Sequence, residues 1–211
     1  TRREFLGTMG AASLALACAP ALRAEDKPGR KLGVALCGLG RYALNELAPA
    51  LLETQNIRLV GAITGTPAKG VALAKQYGFS ENSIYAYSQM KRVADNPDID
   101  VVYVVSPPGL HAEHTIAALS AGKHVICEKP MANTVAECDA MLAAAKKANR
   151  QLAIGYRLHF DPHTQELMRM AAAGELGKIQ ELRGENGFKL KTKVWRIDKK
   201  IGGGGPLMDV G

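Results

Sequence analysis

From residue 31 onward the chain alternates between short apolar runs and longer segments of helical period. Residues 31–37, 57–63, 101–105 and 151–155 are apolar almost without interruption, and 124–126 lead into Cys127 in the same way. Such runs are expected of parallel strands covered on both faces. Between them lie segments with apolar residues three and four apart. Ala43, Leu44, Leu47, Leu51 and Leu52 mark one predicted helix, and a second ends at Gly78 after Tyr77. A small strand at 83–85 and a short helix at 88–94 precede the turn 96–100. Further helices are predicted over 110–121 and 134–148, the latter with Val135, Cys138, Met141, Leu142 and Ala145 on one face. This repeated alternation predicts an α/β fold built on a doubly wound parallel sheet of the Rossmann type. After residue 155 the pattern changes. A joint at 156–162, a helix over 162–173, a turn and a half-polar strand over 179–186 predict the start of a C-terminal α/β domain on a mostly antiparallel sheet.

The first strand runs into Gly38-Leu39-Gly40-Arg41-Tyr42-Ala43, a G-x-G-x-x-A turn with a strand before it and a helix after it. Gly38 permits the tight turn, and Gly40 lets a pyrophosphate approach the backbone. Ala43 lets the helix pack close, and its N-terminal N–H groups face the phosphates. Gly38, Gly40, Arg41 and Tyr42 are therefore expected to bind a dinucleotide. The end of the second strand selects between cofactors. An NAD site places an acidic residue there for the ribose 2′-hydroxyl. This chain has Thr64-Gly65-Thr66-Pro67-Ala68-Lys69, with no acid. Thr64, Gly65 and Lys69 suit a 2′-phosphate, so NADP is expected over NAD. Thr66 is also placed to cap a helix that begins at Pro67.

Open α/β sheets bind ligands beyond the carboxyl ends of their strands. Ser106, Pro107, Leu110 and His111 follow one such end and are assigned to cofactor contact; His114 is read as structural. Glu128-Lys129-Pro130 follows another. On their own these two charges describe a solvated loop pair. The nucleotide-binding turn upstream raises them to site residues.

Residues 1–24 form a separate unit. Arg2-Arg3-Glu4-Phe5-Leu6, the Ala- and Leu-rich run 10–22 and the small residues around Ala21 and Ala24 have the form of a twin-arginine signal peptide. The run is too short for a stable membrane anchor. Export machinery as a partner and a periplasmic location follow as expectations. A six-residue link, 25–30, then leads into the nucleotide-binding domain, assigned to 31–155, with 156–211 beginning the substrate and oligomerisation domain. The formal net charge is +7, and +5 without residues 1–24, which carry Arg2, Arg3, Arg23 and Glu4. The cations are scattered and no basic stripe carries interleaved aromatics, so nucleic acid is not an expected partner. Cys37, Cys127 and Cys138 lack metal-ligand spacing and are read as structural thiols. No metal is expected.

The Gly38–Ala43 turn, Cys127-Glu128-Lys129-Pro130, Gly155-Tyr156-Arg157 and the closing 203–211 stretch with Asp209 together resemble the Gfo/Idh/MocA oxidoreductases, in particular the glucose–fructose oxidoreductase subgroup. The resemblance covers nearly everything after residue 31. It implies that Lys129 polarises a sugar hydroxyl or carbonyl and touches the nicotinamide ribose, and that Asp209 belongs to the catalytic group. It places Glu128 beside the nicotinamide, Arg157 at the cofactor, and Trp195 and Arg196 near the nicotinamide and pyrophosphate. It also implies a homo-oligomer, dimer or tetramer. The family's acid–base Tyr or His lies just beyond Asp209, so the 211 residues read as a partial chain that is inactive alone. Pro108 replaces an Asn common in the family, and residues 25–30 leave no room for that subgroup's proline-rich arm. The expected activity is an exported NADP-dependent sugar oxidoreductase that reduces and reoxidises one tightly held cofactor. The alternatives are a sugar or polyol dehydrogenase with exchangeable cofactor and a non-catalytic dinucleotide-binding regulatory protein.

Overall fold

The structure, a computed structural model, describes residues 29–185, 187, 189, 194–205 and 208. Six parallel strands form one sheet: β1 (Leu32–Cys37), β2 (Ile57–Ile63), β3 (Ile84–Tyr85), β4 (Val101–Val104), β5 (His124–Glu128) and β6 (Leu152–Gly155). Their order is β3-β2-β1-β4-β5-β6. Chain direction across the sheet reverses between β1 and β4, which places the topological switch point at the end of β1. There Cys37 pairs with Ile63 on one side and Val104 on the other. The predicted α/β class and parallel Rossmann sheet are therefore observed.

The central strands are apolar because both faces are packed. Val34, Leu36, Leu59 and Val101 meet α1 (41–52) and α2 (Pro67–Tyr77) on one face. Ala35, Cys37, Val102, Val104, Val125 and Cys127 meet α3 (His111–Ser120) and α4 (Val135–Ala148) on the other. Helix stops follow their chemistry. Gly78 closes α2 at φ 73° and Asn149 closes α4 at φ 50°. The Thr134 hydroxyl accepts from the Glu137 N–H at 3.2 Å, while the Glu137 carboxylate accepts from the Thr134 N–H at 2.9 Å. This reciprocal box was available in the sequence as Thr134-x-x-Glu137.

Three expectations are corrected. The helix after the glycine turn is π-helical over Ala43–Leu47, and the Ala48 N–H reaches the Ala43 carbonyl. Pro49 has no N–H to donate and its ring crowds the carbonyl four residues back, so the wider turn relieves that conflict. Leu52, Val135 and Leu142 are exposed. Regular 3.6-residue spacing placed them on the packed stripe, whereas Met141 and Ala145 carry the α4 contact. The short helix expected at 88–94 is present as a 3-10 helix over Tyr87–Asp95. Residues 179–185 form no strand; Ile179 and Leu182 are exposed there. A strand needs a laddered neighbour to persist, and none is present among the described residues. After β6, Arg157–Phe160 is a 3-10 turn, followed by α5 (Pro162–Ala172) with Asp161 capping its first turn. A short 3-10 turn, Trp195–Ile197, leads into α6 (Lys199–Gly202). No helix among the described residues is long and apolar enough to cross a membrane.

Candidate functional site

The site lies at the carboxyl ends of β1, β2, β4 and β5. Gly38 has φ 102°, and a Cβ there would lie 2.8 Å from the Ser106 backbone nitrogen. Gly38 is thus required twice, by its backbone angle and by the close passage of the β4 connection. Gly40 differs. A Cβ there would meet no protein atom within 4 Å. The protein's own packing does not demand that glycine, whereas an approaching phosphate does. Ala43 is fully buried, as close packing of α1 requires. Arg41 and Tyr42 are exposed at the start of α1. These features fit a dinucleotide.

At the end of β2 no carboxylate appears. The Lys69 ammonium, in the first turn of α2, donates to the Leu39 carbonyl at 3.2 Å. It therefore bridges the β2 end and the glycine turn. Gly65 is exposed beside the Tyr87 ring. Thr64 is buried, and its hydroxyl accepts from the Thr66 N–H at 3.1 Å. Thr66 itself makes no side-chain cap bond to α2; the Lys69 N–H donates instead to the Thr66 carbonyl at 3.0 Å.

Two further residues assigned to ligand contact have their polar atoms engaged inside the protein. The Ser106 hydroxyl meets His114 Nδ1 at 2.9 Å. The His111 ring lies between two backbone carbonyls, with Nε2 2.7 Å from Ser106 and Nδ1 2.8 Å from Pro130. In either neutral tautomer its single N–H donates to one of them. His111 is 1% exposed, so the expectation that it touches ligand gives way to a brace between the β4 and β5 ends. His114 stacks on Tyr87 with ring centroids 4.6 Å apart. Tyr87, His114, Ser106 and His111 thus form a continuous chain of contacts from Gly65 to Pro130. Sequence reasoning missed Tyr87 because its partner is brought to it only by the fold. Pro107 precedes and Leu110 ends the 3-10 turn Pro108–Leu110, where the Leu110 N–H donates to the Pro107 carbonyl at 2.9 Å.

Glu128 closes β5, and Lys129 begins the turn beyond it through a cis Lys129–Pro130 peptide. The Tyr103 hydroxyl donates to Glu128 Oε1 at 2.8 Å. Gly155 pairs with Glu128 across the β5–β6 ladder; a Cβ there would lie 3.0 Å from the same oxygen, so the carboxylate would have to give by a few tenths of an ångström. Burial and then the Glu128 charge push the Tyr103 phenol well up, so it remains a donor. Tyr42 is raised by burial and by Glu128, against a lowering from Arg157. Tyr42, Tyr103, Glu128 and Arg157 therefore share one electrostatic neighbourhood. Tyr103 carried no sequence signal beyond its place in an apolar strand.

Trp195 and Arg196 reach this end of the sheet through α6. Asn133 Nδ2 donates to the Lys200 carbonyl at 3.3 Å, and Gly109 allows α6 to approach the turn after β4. The Arg196 guanidinium carbon lies 4.3 Å from the Trp195 ring centroid. Asp209 lies outside the described residues. The described cysteines are free. Burial pushes the Cys127 thiol up to about 12 and Cys37 higher still, so neither is a nucleophile at neutral pH. No cluster of three metal-ligating side chains occurs among the described residues.

Burial also holds His111 and His114 below the ordinary value of 6.5. A histidine whose folded pKa is depressed binds fewer protons folded than unfolded, so stability rises with pH near 6.5 and falls as pH drops below it. Urea melts of the full-length protein should give a lower midpoint at pH 5 than at pH 7. A midpoint independent of pH would contradict the buried neutral imidazoles.

A family model described as an oxidoreductase family with an NAD-binding Rossmann fold matches residues 32–156. D-glucoside 3-dehydrogenase of Escherichia coli (strain K12) is 34% identical over 182 residues, which is 85% of this chain and 51% of that protein. The crystal structure of aldose-aldose oxidoreductase from Caulobacter crescentus, complexed with glycerol, superposes with a TM-score of 0.77. It is 43% identical, covering 85% of this chain and 54% of that one. An inositol dehydrogenase homolog from Azotobacter vinelandii, complexed with NADH and myo-inositol, is 28% identical with a TM-score of 0.63, covering 71% of this chain and 41% of that one. The chain spans about half the length of D-glucoside 3-dehydrogenase and of the aldose-aldose oxidoreductase. With the strand order and the glycine turn in agreement with that match, the chain belongs to the Gfo/Idh/MocA family of oxidoreductases.

Proposed function

We propose that the full-length protein is an NADP-dependent sugar oxidoreductase that cycles one tightly held cofactor between two sugar substrates. One observation carries the choice of NADP: Lys69 bridges the β2 end and the glycine turn, where no carboxylate is present. A lysine there complements a 2′-phosphate, whereas an acid would receive a 2′-hydroxyl. Arg41, exposed on the same turn, adds a second cation. The likeness to an aldose-aldose oxidoreductase supports a sugar-to-sugar reaction.

Gly38 and Gly40 admit the pyrophosphate to the α1 N-terminus. Pro107, Leu110, Trp195 and Arg196 line the same end of the sheet, and Arg157 balances Glu128 at the nicotinamide side. When bound, the nicotinamide supplies the two-electron acceptor and donor. Lys129 holds the sugar oxygen and stabilises the negative charge that develops on it. Asp209 partners Lys129, and a Tyr or His beyond residue 211 moves the hydroxyl proton. The twin-arginine pattern of residues 1–24 supports export to the periplasm after folding, where retaining one cofactor avoids any need for exchange. The assembly proposed is a homo-oligomer, a dimer or tetramer.

Purified full-length protein is expected to carry NADP(H) without added cofactor and to turn over two sugars by ping-pong kinetics. Lys69→Ala should weaken NADP retention at least tenfold and leave NAD affinity within threefold. Protein that purifies without nucleotide and needs added cofactor for each turnover would instead establish the exchangeable dehydrogenase.

A further inference from the structure

We infer that Tyr103 and His111 are positioning residues that fix Lys129 from its two neighbours in sequence. The inference rests on the proposed role of Lys129. Lys129 follows a residue whose side chain is anchored and precedes one whose carbonyl is anchored. On one side, the Tyr103 hydroxyl holds Glu128 Oε1 at 2.8 Å. The missing side chain of Gly155 leaves room for that carboxylate, since a Cβ would stand 3.0 Å from the oxygen. The Glu128 backbone is registered against Gly155 by the β5–β6 ladder. On the other side, with the imidazole proton on Nδ1, His111 donates to the Pro130 carbonyl at 2.8 Å, while its Nε2 packs 2.7 Å from the Ser106 carbonyl without donating to it.

The two anchors come from different layers. Tyr103 belongs to β4, whose neighbour Ile126 lies two residues before Glu128. His111 opens α3 on the opposite face, and its ring is almost wholly buried. His114, from the same helix, holds the Ser106 hydroxyl at 2.9 Å. The β4 connection that His111 leans on is therefore itself restrained. A turn held only by its own backbone would let a long lysine side chain sample many positions. A turn fixed at both flanking residues carries the lysine origin in one place, and about 1 Å of misplacement near reacting atoms costs on the order of a hundredfold in rate. Neither Tyr103 nor His111 needs to touch substrate or cofactor for this effect.

The test is a double-mutant cycle in the full-length protein. Tyr103→Phe keeps the ring in the sheet and removes only the hydroxyl; His111→Asn removes the brace. Each should lower kcat by about ten- to a hundredfold, with sugar KM and NADP(H) retention changed less than threefold. In a Lys129→Ala background each should lower kcat by less than a further twofold, since the group they position is gone. Multiplicative losses in that background, or no loss in the wild-type background, would overturn the inference. A second readout does not use turnover. Lysines are reductively methylated with ¹³C, and the Lys129 signal is assigned by Lys129→Arg. That signal should be single and narrow in the parent and shifted or broadened in Tyr103→Phe; an unchanged signal also overturns it. Tyr103→Phe keeps the test decisive should His111→Asn fail to fold. If the parent protein has no oxidoreductase activity, the functional reading fails, while the Lys129 signal still decides whether these residues position it.

Discussion

Lys129→Ala is expected to lower turnover of the full-length protein by about a thousandfold while leaving the nucleotide bound. The magnitude follows from what the ammonium would do. A positioned group that moves or stabilises charge at a reacting hydroxyl contributes about 10²–10⁴-fold, and loss of one preorganised donor at a developing oxyanion costs about 10²–10³-fold. The fold should survive, because Lys129 lies beyond the last ladder residue of β5 and outside both apolar clusters. Nucleotide should remain because the proposed phosphate site, Gly38, Gly40 and the start of α1, follows β1 rather than β5. The measurement is single-turnover reduction of bound nucleotide by sugar, followed by absorbance at the nicotinamide band, beside the nucleotide content of the purified protein. Arginine in place of lysine should recover little, since a planar fork does not replace a compact ammonium. Lys129→Ala with intact turnover would assign the chemistry to other residues. Parent protein that binds nucleotide but turns over no sugar would favour the non-catalytic regulatory alternative.

The sheet was legible in the sequence because its strands are buried on both faces, and continuous apolar runs such as Val101–Val104 leave no alternative period. The glycine turn was legible because its chemistry is local: each position has a backbone reason that neighbouring residues do not alter. Two kinds of feature were not. Helix faces set by tertiary contact escaped, as the exposed Val135 and Leu142 show. The π-turn at Ala43–Leu47 had a readable cause in Pro49, but a proline near a helix start predicts several outcomes and only packing selects one. Pairings across strands also escaped. Tyr103 and Glu128 are 25 residues apart and meet because β4 and β5 are neighbours in register. His111 was placed at the right end of the sheet, yet its partners, the Ser106 and Pro130 carbonyls, are backbone atoms that no side-chain pattern records. Thr64 illustrates the same limit. Its hydroxyl suits a phosphate by type, but the turn it begins turns that oxygen toward the Thr66 N–H.

The two glycines of the nucleotide turn separate fold from ligand, and their alanine variants should behave in opposite ways. Gly38→Ala is expected to destabilise the protein by about 3 kcal/mol or more. Holding a non-glycine residue at positive φ costs about 1–3 kcal/mol, and the angle here is 102°. The new Cβ would also press on the Ser106 nitrogen at 2.8 Å, a backbone atom that cannot rotate away. Relief would displace the β4 connection, and with it the Ser106 carbonyl that packs against the His111 ring. Gly40→Ala should leave stability unchanged or raise it by about 0.4–1 kcal/mol, because the unfolded chain loses freedom and the folded backbone is unstrained. Its Cβ meets no protein atom within 4 Å. The same methyl group would nonetheless stand where the pyrophosphate must approach, and binding should weaken by at least a hundredfold. Denaturant melts after nucleotide is stripped, set beside nucleotide titrations, read the two effects separately. Gly40→Ala with undiminished nucleotide affinity would remove the pyrophosphate from this turn, whatever the Gly38 variant does.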